Sequence, residues 1–242
     1  MITVKNLTKT FEGNVTAVNL ISFELLEGET LCMIGTSGCG KTTTLKMLNR
    51  LLEPTSGEIF ILGKNILEQD QIEVRRKIGY VIQGGGLFPH WTVAKNIGLV
   101  PSLQNWDKEK MSARVDELLN LVELEPAKFK NRYPAELSGG QQQRVGIARA
   151  MASDPPVILL DEPFSALDPI TRAQMQTEFI RLKKIVKKTM VFVTHDLKEA
   201  FHLSDKILVM DKGNMQQFGS PDDLKNNPAN DFVKNFLESH LN

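Results

Sequence analysis

A glycine-rich loop that follows an apolar run and leads into a helical pattern constrains the fold most. Residues 35–42 read Gly-Thr-Ser-Gly-Cys-Gly-Lys-Thr, a G-x-x-x-x-G-K-T sequence. The glycines allow successive backbone N–H groups to curve around the β- and γ-phosphates of a nucleotide. Lys41 would supply a positive charge there, and the Thr42 hydroxyl would supply a ligand for Mg²⁺. The loop therefore predicts a site for a nucleoside triphosphate.

The residues on either side of the loop favour this prediction over a glycine-rich turn that binds nothing. Residues 30–34 read as a buried parallel strand, and residues 43–52 read as a helix. The predicted helix has one apolar face, formed by Leu45, Leu48 and Leu52. A strand that passes through such a loop into a helix is the context in which a phosphate-binding loop occurs.

Composition argues against a nucleic-acid partner and against secretion. The 242 residues contain 29 Lys and Arg and 29 Asp and Glu, and no run of five like charges offers a basic surface. The two cysteines, Cys32 and Cys39, lack the spacing of metal ligands and fit a reducing compartment. The sequence shows neither a secretion signal nor an apolar stretch of about 18 to 20 residues. We therefore expect a cytosolic chain that reaches a membrane only through a partner.

The order of strand and helix patterns predicts an α/β fold. Alternating apolar residues at 18–25 indicate an antiparallel strand, and apolar runs at 157–160 and 190–194 indicate parallel strands that end in polar residues. A helical period appears between them, around residues 110–124. We predict a P-loop NTPase core with a mixed, mainly parallel sheet and flanking helices, an antiparallel β subdomain and an inserted α-helical subdomain.

Two further segments carry chemistry. The strand at 157–160 is followed by Asp161 and Glu162, so that one carboxylate can hold Mg²⁺ through water and the next can act as a base. The alternative is a solvated strand end. Residues 137–141 read Leu-Ser-Gly-Gly-Gln and open a helix, which offers a second glycine-bearing helix N-terminus for phosphate. Taken alone, such a turn is usually only a helix cap.

With these residues, the sequence resembles the nucleotide-binding subunit of an ATP-binding-cassette (ABC) transporter over essentially its whole length. The LSGGQ signature is the most specific element of the resemblance, and the other family motifs follow in the expected order. They are Phe11 for adenine stacking, Gln83 of the Q-loop, residues 165–168 of the D-loop and the switch histidine His195. The resemblance implies one nucleotide-binding domain at 1–242, with a core at about 1–83 and 154–242 and a helical subdomain at about 84–153.

In that family, two subunits pack head to tail, and each ATP lies between the phosphate loop of one and the signature motif of the other. The resemblance assigns catalytic roles to Glu162, His195 and Gln83, and Mg²⁺ ligation to Thr42, Gln83 and Asp161. The expected nucleotide contacts are Phe11, Gly35, Thr36, Ser37, Gly38, Cys39, Gly40, Lys41, Thr42 and Thr43. Ser138, Gly139, Gly140, Gln141 and Asp168 would contact the nucleotide of the second copy or line the seam.

Residues 84–92 follow Gln83 with three glycines and an aromatic stretch. Three glycines in a row would form a hinge, because glycine is conformationally permissive. In the family this region faces a helix of an integral membrane permease. Exposed Phe88 and Trp91 side chains would suit docking of that partner. Packing of both aromatics inside the helical subdomain is the equally weighted alternative.

Residues 35–51, 87–93, 141–143 and 228–233 resemble ATPase subunits of bacterial importers for glycine betaine, carnitine or choline. We expect a subunit at the cytoplasmic face of the membrane that serves a permease and, indirectly, a substrate-binding protein. Many such subunits continue into a regulatory module, whereas this sequence ends at Asn242, so we expect any ionic-strength sensing to lie elsewhere. Gly84 and Gly85 also differ from the bulkier or acidic residues common in the wider family.

Two other functions share parts of this pattern. A soluble cassette ATPase of DNA repair, translation or cofactor assembly would carry every nucleotide motif, but such proteins usually fuse two cassettes or bear coiled-coil insertions or basic arms. A small-molecule kinase would share the phosphate loop, yet it needs an acceptor site and gains no support from the signature motif.

Overall fold

The computed structural model describes residues 1–241. The chain divides into two compact units, Met1–Arg75 with the chain from Lys188 onward, and Arg76–Lys187. These limits differ from the predicted subdomain boundaries near 84 and 153, which stay a prediction. Within the described range, no helix is both long and apolar enough to cross a bilayer.

Ten strands and eleven α-helices make up the described chain. The strands are β1 Ile2–Phe11, β2 Val15–Leu25, β3 Thr30–Gly35, β4 Ser56–Ile61, β5 Lys64–Asn65, β6 Ile78–Val81, β7 Val157–Asp161, β8 Thr189–Val193, β9 Lys206–Asp211 and β10 Asn214–Gly219. The helices are α1 Lys41–Leu48, α2 Gln71–Arg76, α3 Val93–Ile97, α4 Leu99–Leu103, α5 Lys108–Leu121, α6 Pro126–Phe129, α7 Gly139–Met151, α8 Pro169–Val186, α9 Leu197–Leu203, α10 Pro221–Asn226 and α11 Asp231–Leu241. Short 3₁₀ turns lie at Ile66–Glu68 and Pro134–Glu136.

The first unit contains two kinds of strand pairing. Strands β2, β1, β4 and β5 form an antiparallel sheet in that order, and β3 pairs in parallel with both β8 and β9. The hairpin of β9 and β10 adds an antiparallel edge. Strand β3 is buried at every position, whereas β2 buries Ile21, Phe23 and Leu25 and exposes Glu24. The predicted alternation of β2 is confirmed.

The helix after the phosphate loop is shorter than predicted. We expected a helix over residues 43–52, but α1 spans Lys41–Leu48. Leu45 and Leu48 are buried as expected, whereas Leu52 lies beyond the helix end and is half-buried. The backbone at Arg50 has a φ of 54°, and a left-handed residue just past a helix is a common way of ending it. The periodicity of the leucines continued past a turn that the apolar pattern does not register.

The second unit pairs β6 with β7 in parallel and packs its helices around α7. Every α7 residue from 145 to 151 is buried. The predicted apolar stripe of α5 is present at Val115, Leu118 and Leu119. Helix α8 begins with Asp168 as its N-cap and Pro169 as its first residue, an order of residues typical of a helix start. The strands and the buried helix α7 therefore give this unit its core.

Gly79 of β6 brings the strand backbone against α7. A Cβ at this position would lie 2.3 Å from the Ala150 carbonyl oxygen, which is backbone and cannot rotate away. Gly146 of the same helix is less confined, because a Cβ there would lie 3.5 Å from the nearest atom, the Gly85 oxygen. The two glycines therefore differ in whether they have space for a methyl group.

We expect Gly79→Ala to destabilise the protein by about 3 kcal/mol, because β6 must move away from α7. We expect Gly146→Ala to be neutral or to stabilise by up to about 1 kcal/mol, because alanine favours a helix over glycine. Thermal and urea melts of the two variants beside the wild type measure the difference. Equal stability of the two variants would show that the strand and the helix are not packed backbone to backbone.

Candidate nucleotide-binding site

The phosphate loop connects β3 to α1 in the first unit. Its glycines adopt the left-handed or extended positive-φ backbone that other residues rarely take, with φ of 142° at Gly35, 73° at Gly38 and 105° at Gly40. The residues at 36–38 are exposed and those at 39–41 are buried. The loop therefore presents its crest to solvent and anchors its base in the core.

Two of the loop glycines are required because other backbone segments pass close to them. A Cβ at Gly35 would lie 1.9 Å from the Met210 oxygen, and one at Gly40 would lie 2.3 Å from the Ala17 oxygen. Gly38 has no atom within 4 Å of its Cβ position. The base of the loop is thus held between β9 and β2, whereas its crest has space for a ligand.

The side chain of Lys41 is buried behind the loop. Its Nζ donates to the carbonyl oxygens of Gly35 at 2.9 Å and Thr36 at 3.0 Å, and it lies 3.6 Å from the Cys39 sulfur. Burial raises the pKa of the Cys39 thiol, although the Lys41 charge opposes the shift. Cys39 is therefore a neutral packing residue, and the ammonium group is positioned by loop carbonyls.

The N-terminus of α1 has no side-chain cap among the described residues. Gly40 occupies the N-cap position, and no side chain there accepts a hydrogen bond from the first turn. The first N–H groups of a helix need an acceptor, and the helix dipole favours an anion at that position. Phosphate oxygens meet both needs. A triphosphate therefore fits the loop on its own geometry.

A residue that sequence reasoning missed fixes the outer side of the loop. Asp211, at the end of β9, accepts a hydrogen bond from the Thr36 hydroxyl at 2.8 Å. The next turn contributes the Gly213 N–H, which donates to the Cys39 oxygen at 3.2 Å. In the sequence, Lys-Gly-Asn at residues 212–214 indicates only the turn of a hairpin. The structure gives the same hairpin a second role in holding the phosphate loop.

In the second unit, Gln83 and Glu162 are brought together. The Gln83 Nε2 donates to the Glu162 Oε2 at 2.8 Å. Glu162 follows β7 with a φ of 47°, a conformation that costs a non-glycine residue free energy and is found disproportionately at functional sites. The preceding Asp161 is buried, with the Tyr80 hydroxyl 3.4 Å from its Oδ2. Burial, followed by the Asp161 charge, raises the pKa of Tyr80, so Tyr80 is a neutral neighbour of that carboxylate.

The signature turn at residues 137–141 is preformed as a capping box. The Ser138 Oγ accepts from the Gln141 N–H at 3.3 Å, and the Gln141 Oε1 accepts from the Ser138 N–H at 3.0 Å. Gly140 has a packing requirement, because a Cβ there would lie 2.7 Å from the Thr171 methyl. At Gly139 the nearest atom would be 3.8 Å away. The turn is therefore rigid, and its exposed side is formed by Ser138 and Gly139.

His195 is exposed two residues after the end of β8, and hydrogen bonds of its neighbours fix the backbone on either side of it. The Thr194 hydroxyl donates to the buried Glu199 carboxylate and accepts from the Asp196 N–H at 3.0 Å. Asp196 in turn caps α9 by accepting from the amides of its first turn. Glu199 escaped sequence reasoning, since a glutamate four residues after the histidine has no distinctive spacing.

The remaining predicted contacts lie at element ends. Phe11 ends β1, is 43% exposed and carries the Lys9 ammonium 5.3 Å from its ring centre. An exposed aromatic face is what a stacking base requires. Asp168 is an exposed N-cap whose hydrogen bonds from Thr171 and Ile170 lower the pKa of its carboxyl. No group of three or more His, Cys, Asp or Glu residues within residues 1–241 is arranged to hold a metal by itself.

The predicted residues divide between the two units. The first unit holds Phe11, residues 35–43 and His195, and the second holds Gln83, Asp161, Glu162, Asp168 and residues 138–141. Within the second unit, the contact between Gln83 and Glu162 joins two of the three predicted catalytic residues.

A cavity of about 410 Å³ lies among the helices of the second unit. Its lining includes Trp91, Ala94, Gly98, Met111 and Val115, and the lysines at 95, 108 and 130 also contribute. Trp91 is half-buried and its ring lies 4.7 Å from that of Phe88, which is 38% exposed. Neither aromatic is fully buried in the unit, and the pair forms an apolar edge beside the cavity.

Comparison with known proteins places the chain in a family. A family model described as ABC transporter matches residues 18–165. The choline transport ATP-binding protein of Bacillus subtilis is 54% identical over 98% of this chain and 62% of its own length, and the glycine betaine/carnitine/choline transport ATP-binding protein of the same organism is 55% identical with the same coverage. The glycine betaine uptake system ATP-binding protein of Escherichia coli is 50% identical, and the match covers 76% of it.

Solved structures agree. An ATP-binding cassette described as a dimer in a post-hydrolysis state with ADP and Pi has a TM-score of 0.81 and 36% identity, covering 91% of this chain and 99% of that one. This similarity confirms the predicted P-loop core with its antiparallel and helical additions. The chain spans 62% of the length of each of the two Bacillus relatives. On its sequence, its fold and its motifs, the chain belongs to the ABC transporter family.

Proposed function

We propose that this chain is the ATP-binding and ATP-hydrolysing subunit of a bacterial membrane importer for a quaternary-amine osmoprotectant. The observation that carries the ATP part is the uncapped N-terminus of α1 behind a loop whose crest is open. The importer part rests on the names of the relatives, which are transport ATP-binding proteins for choline, carnitine and glycine betaine. We further propose that the subunit works at the cytoplasmic face of the membrane.

ATP would bind with its phosphates on the loop and its base against the exposed Phe11 ring. The Lys41 ammonium would exchange its contacts with the carbonyls of Gly35 and Thr36 for phosphate oxygens. The N–H groups at the start of α1, where Gly40 provides no side-chain cap, would donate to phosphate oxygens. Thr43, the third residue of α1, is half-buried in its first turn.

The proposed Mg²⁺ ligands are the oxygens of Thr42, Gln83 and Asp161. A hydroxyl, an amide oxygen and a carboxylate are hard donors of the kind that Mg²⁺ prefers, with phosphate oxygens completing its shell. The Gln83 amide already donates through its nitrogen to Glu162, which leaves its oxygen as the atom for a cation. When bound, the ion would neutralise phosphate charge as the γ-phosphate is transferred.

Hydrolysis would use Glu162 to orient and polarise a water molecule for attack on the γ-phosphate. The hydrogen bond from Gln83 holds this carboxylate in one orientation before the reaction. His195 would contact the γ-phosphate. Hydrogen bonds of Thr194 and Asp196 fix the backbone on both sides of it. The chain's residues thus supply a base, an orienting amide and a stabiliser of charge for an in-line displacement.

A second copy of the chain would complete the site. The signature turn offers the N-terminus of α7 and the hydroxyl of Ser138, which accepts a hydrogen bond within the turn and still has a hydrogen to donate. Two helix N-termini and one lysine would then face a triphosphate that a single copy neutralises only in part. Asp168 would lie at the seam between the copies. The solved dimer with ADP and Pi supports this arrangement.

The cavity beside Trp91 is the proposed docking site for a short helix of the permease. Its lining is mainly apolar, and three lysines surround it, so an amphipathic helix with a carboxylate would be complementary. A substrate-binding protein would act only through the permease. The docking surface follows residues 83–86 in sequence, which links the partner to the proposed catalytic residues.

The proposed function as a whole is tested by reconstituting the purified chain with its permease in vesicles. The expected result is ATP hydrolysis that a quaternary amine stimulates and that accompanies its uptake. Purification of the chain with ribosomes or DNA instead of an integral membrane protein would contradict the importer role.

Glu162→Gln should abolish turnover and leave ATP affinity intact. We expect the hydrolysis rate to fall by about 10² to 10⁴, because the base is lost while the phosphate contacts remain. The variant should then accumulate as a dimer with MgATP in size-exclusion chromatography. The control is Glu117→Gln, a carboxylate paired with Arg114 on the surface of α5. Wild-type hydrolysis by the Glu162 variant would show that another group serves as base.

Lys41→Ala should weaken nucleotide binding itself. We expect the dissociation constant for ATP to rise by about 10 to 100-fold, because a charge-assisted contact to phosphate is removed. Fluorescence titration with a labelled nucleotide measures the affinity. Lys46→Ala serves as the matched control, because Lys46 is exposed in the last turn of the same helix. An unchanged affinity in the Lys41 variant would exclude the phosphate role.

A further inference from the structure

Arg149 of α7 is a buried cation whose guanidinium donates to backbone carbonyl oxygens. Its residue is 8% exposed, and burial lowers the pKa of its guanidinium. Nη1 donates to the Gly86 oxygen at 2.8 Å and Nη2 to the Gly85 oxygen at 3.0 Å. A buried charge is costly unless its partners are well placed. This arginine therefore needs the glycine segment to keep one conformation.

The segment at residues 83–86, here called the glutamine loop, is shaped to meet that need. Gly84, Gly85 and Gly86 have φ of 72°, 80° and 51°, all in the left-handed region. The Gly85 N–H closes the turn on the Ile82 oxygen at 3.1 Å. Consecutive left-handed residues direct two neighbouring carbonyls at one guanidinium, which accounts for the three glycines in place of bulkier residues.

Three residues on one face of α7 meet the loop at a spacing of three. Gln143 has its Oε1 4.0 Å from the Cβ position of Gly85, and Gly146 has its own Cβ position 3.5 Å from the Gly85 oxygen. Arg149 is next along the face. The same helix begins within the signature turn at Gly139, about 15 Å from Arg149 at 1.5 Å per residue. One rigid element therefore contacts both motifs.

We propose that Arg149 is a positioning residue that fixes the glutamine loop to α7, so that the loop and the signature turn move as one body. The proposal rests on the proposed function for the meaning of that movement, since Gln83 would sense Mg²⁺ and the signature turn the second nucleotide. A shift of Gln83 would then be passed along α7 to Ser138, and the three glycines would act as a fixed link instead of the hinge expected from the sequence.

The contrasting reading is that Arg149 only fills the core. Arg144 on the same helix allows the two to be separated, because its guanidinium donates to the Glu178 carboxylate and the Val122 oxygen, whereas that of Arg149 donates to the glutamine loop. Loss of either arginine removes a partly buried cation from α7. Only loss of Arg149 should release the loop.

The experiment compares Arg149→Met, Arg149→Lys and Arg144→Met by hydrogen exchange of a peptide covering residues 82–88, without nucleotide. We expect at least about tenfold faster exchange in Arg149→Met, because the Gly85 and Gly86 carbonyls are then no longer fixed and the turn that holds the Gly85 N–H opens more often. Arg149→Lys should be intermediate, since one ammonium group replaces two fixed donors. Arg144→Met should match the wild type in this peptide.

Steady-state hydrolysis supplies a second readout. Arg149→Met should lower kcat by about tenfold and change the KM for ATP by less than about twofold, because Gln83 loses its fixed position while the phosphate loop is untouched. Arg149→Lys should restore part of kcat.

Wild-type exchange of the 82–88 peptide in a folded Arg149→Met protein would overturn the proposal, and so would equal acceleration in Arg144→Met. If Arg149→Met does not fold, Arg149→Lys decides, because wild-type exchange in that variant would also overturn it. If the wild-type chain fails to hydrolyse ATP, the proposed function fails, and the nucleotide-free exchange comparison still decides whether Arg149 holds the loop.

Discussion

The rest of the structure depends on one constraint, the N-terminus of α1. It has no side-chain cap, and Lys41, its first residue, is held by a carbonyl of the phosphate loop. The start of a helix carries the positive end of the dipole and N–H groups that point outward, so it favours an anion that can accept hydrogen bonds. Strands β2 and β9 contact the phosphate loop at Gly40 and Gly35, where no Cβ fits. These strands therefore fix the backbone conformation of the phosphate loop.

The second glycine-bearing helix start, at α7, is built differently. Its turn is closed by the reciprocal hydrogen bonds of Ser138 and Gln141, so that it is stable without a ligand. A preformed turn suits a surface that meets a nucleotide held by another copy, because little ordering remains to be done on contact. At its other end α7 holds the glutamine loop through Arg149. In the proposed function, the helix thus joins the turn that would meet the second nucleotide to the loop that carries Gln83.

The parts of the fold that follow local rules could be predicted from the sequence. The caps at Asp168 and Ser138, the buried strand β3 and the alternation of β2 all depend on neighbouring residues. The predicted end of α1 was wrong because the left-handed backbone at Arg50 ends the helix, and the leucine spacing does not reveal that conformation. The contacts of Arg149 with Gly85 and Gly86 join residues 64 and 63 positions apart, and the contact of Gln83 with Glu162 joins residues 79 positions apart. No local pattern indicates contacts over such distances in sequence. An arginine on the buried face of a predicted helix was the one signal available.

The central claim is that each nucleotide site needs the phosphate loop of one copy and the signature turn of another. Mixing two inactive chains tests it most directly, one with Lys41→Ala and one with Ser138→Glu, which places a carboxylate against the triphosphate. Heterodimers would contain one intact composite site, so an equal mixture should recover up to about a quarter of the wild-type hydrolysis rate. A mixture no more active than its separate components would contradict the claim.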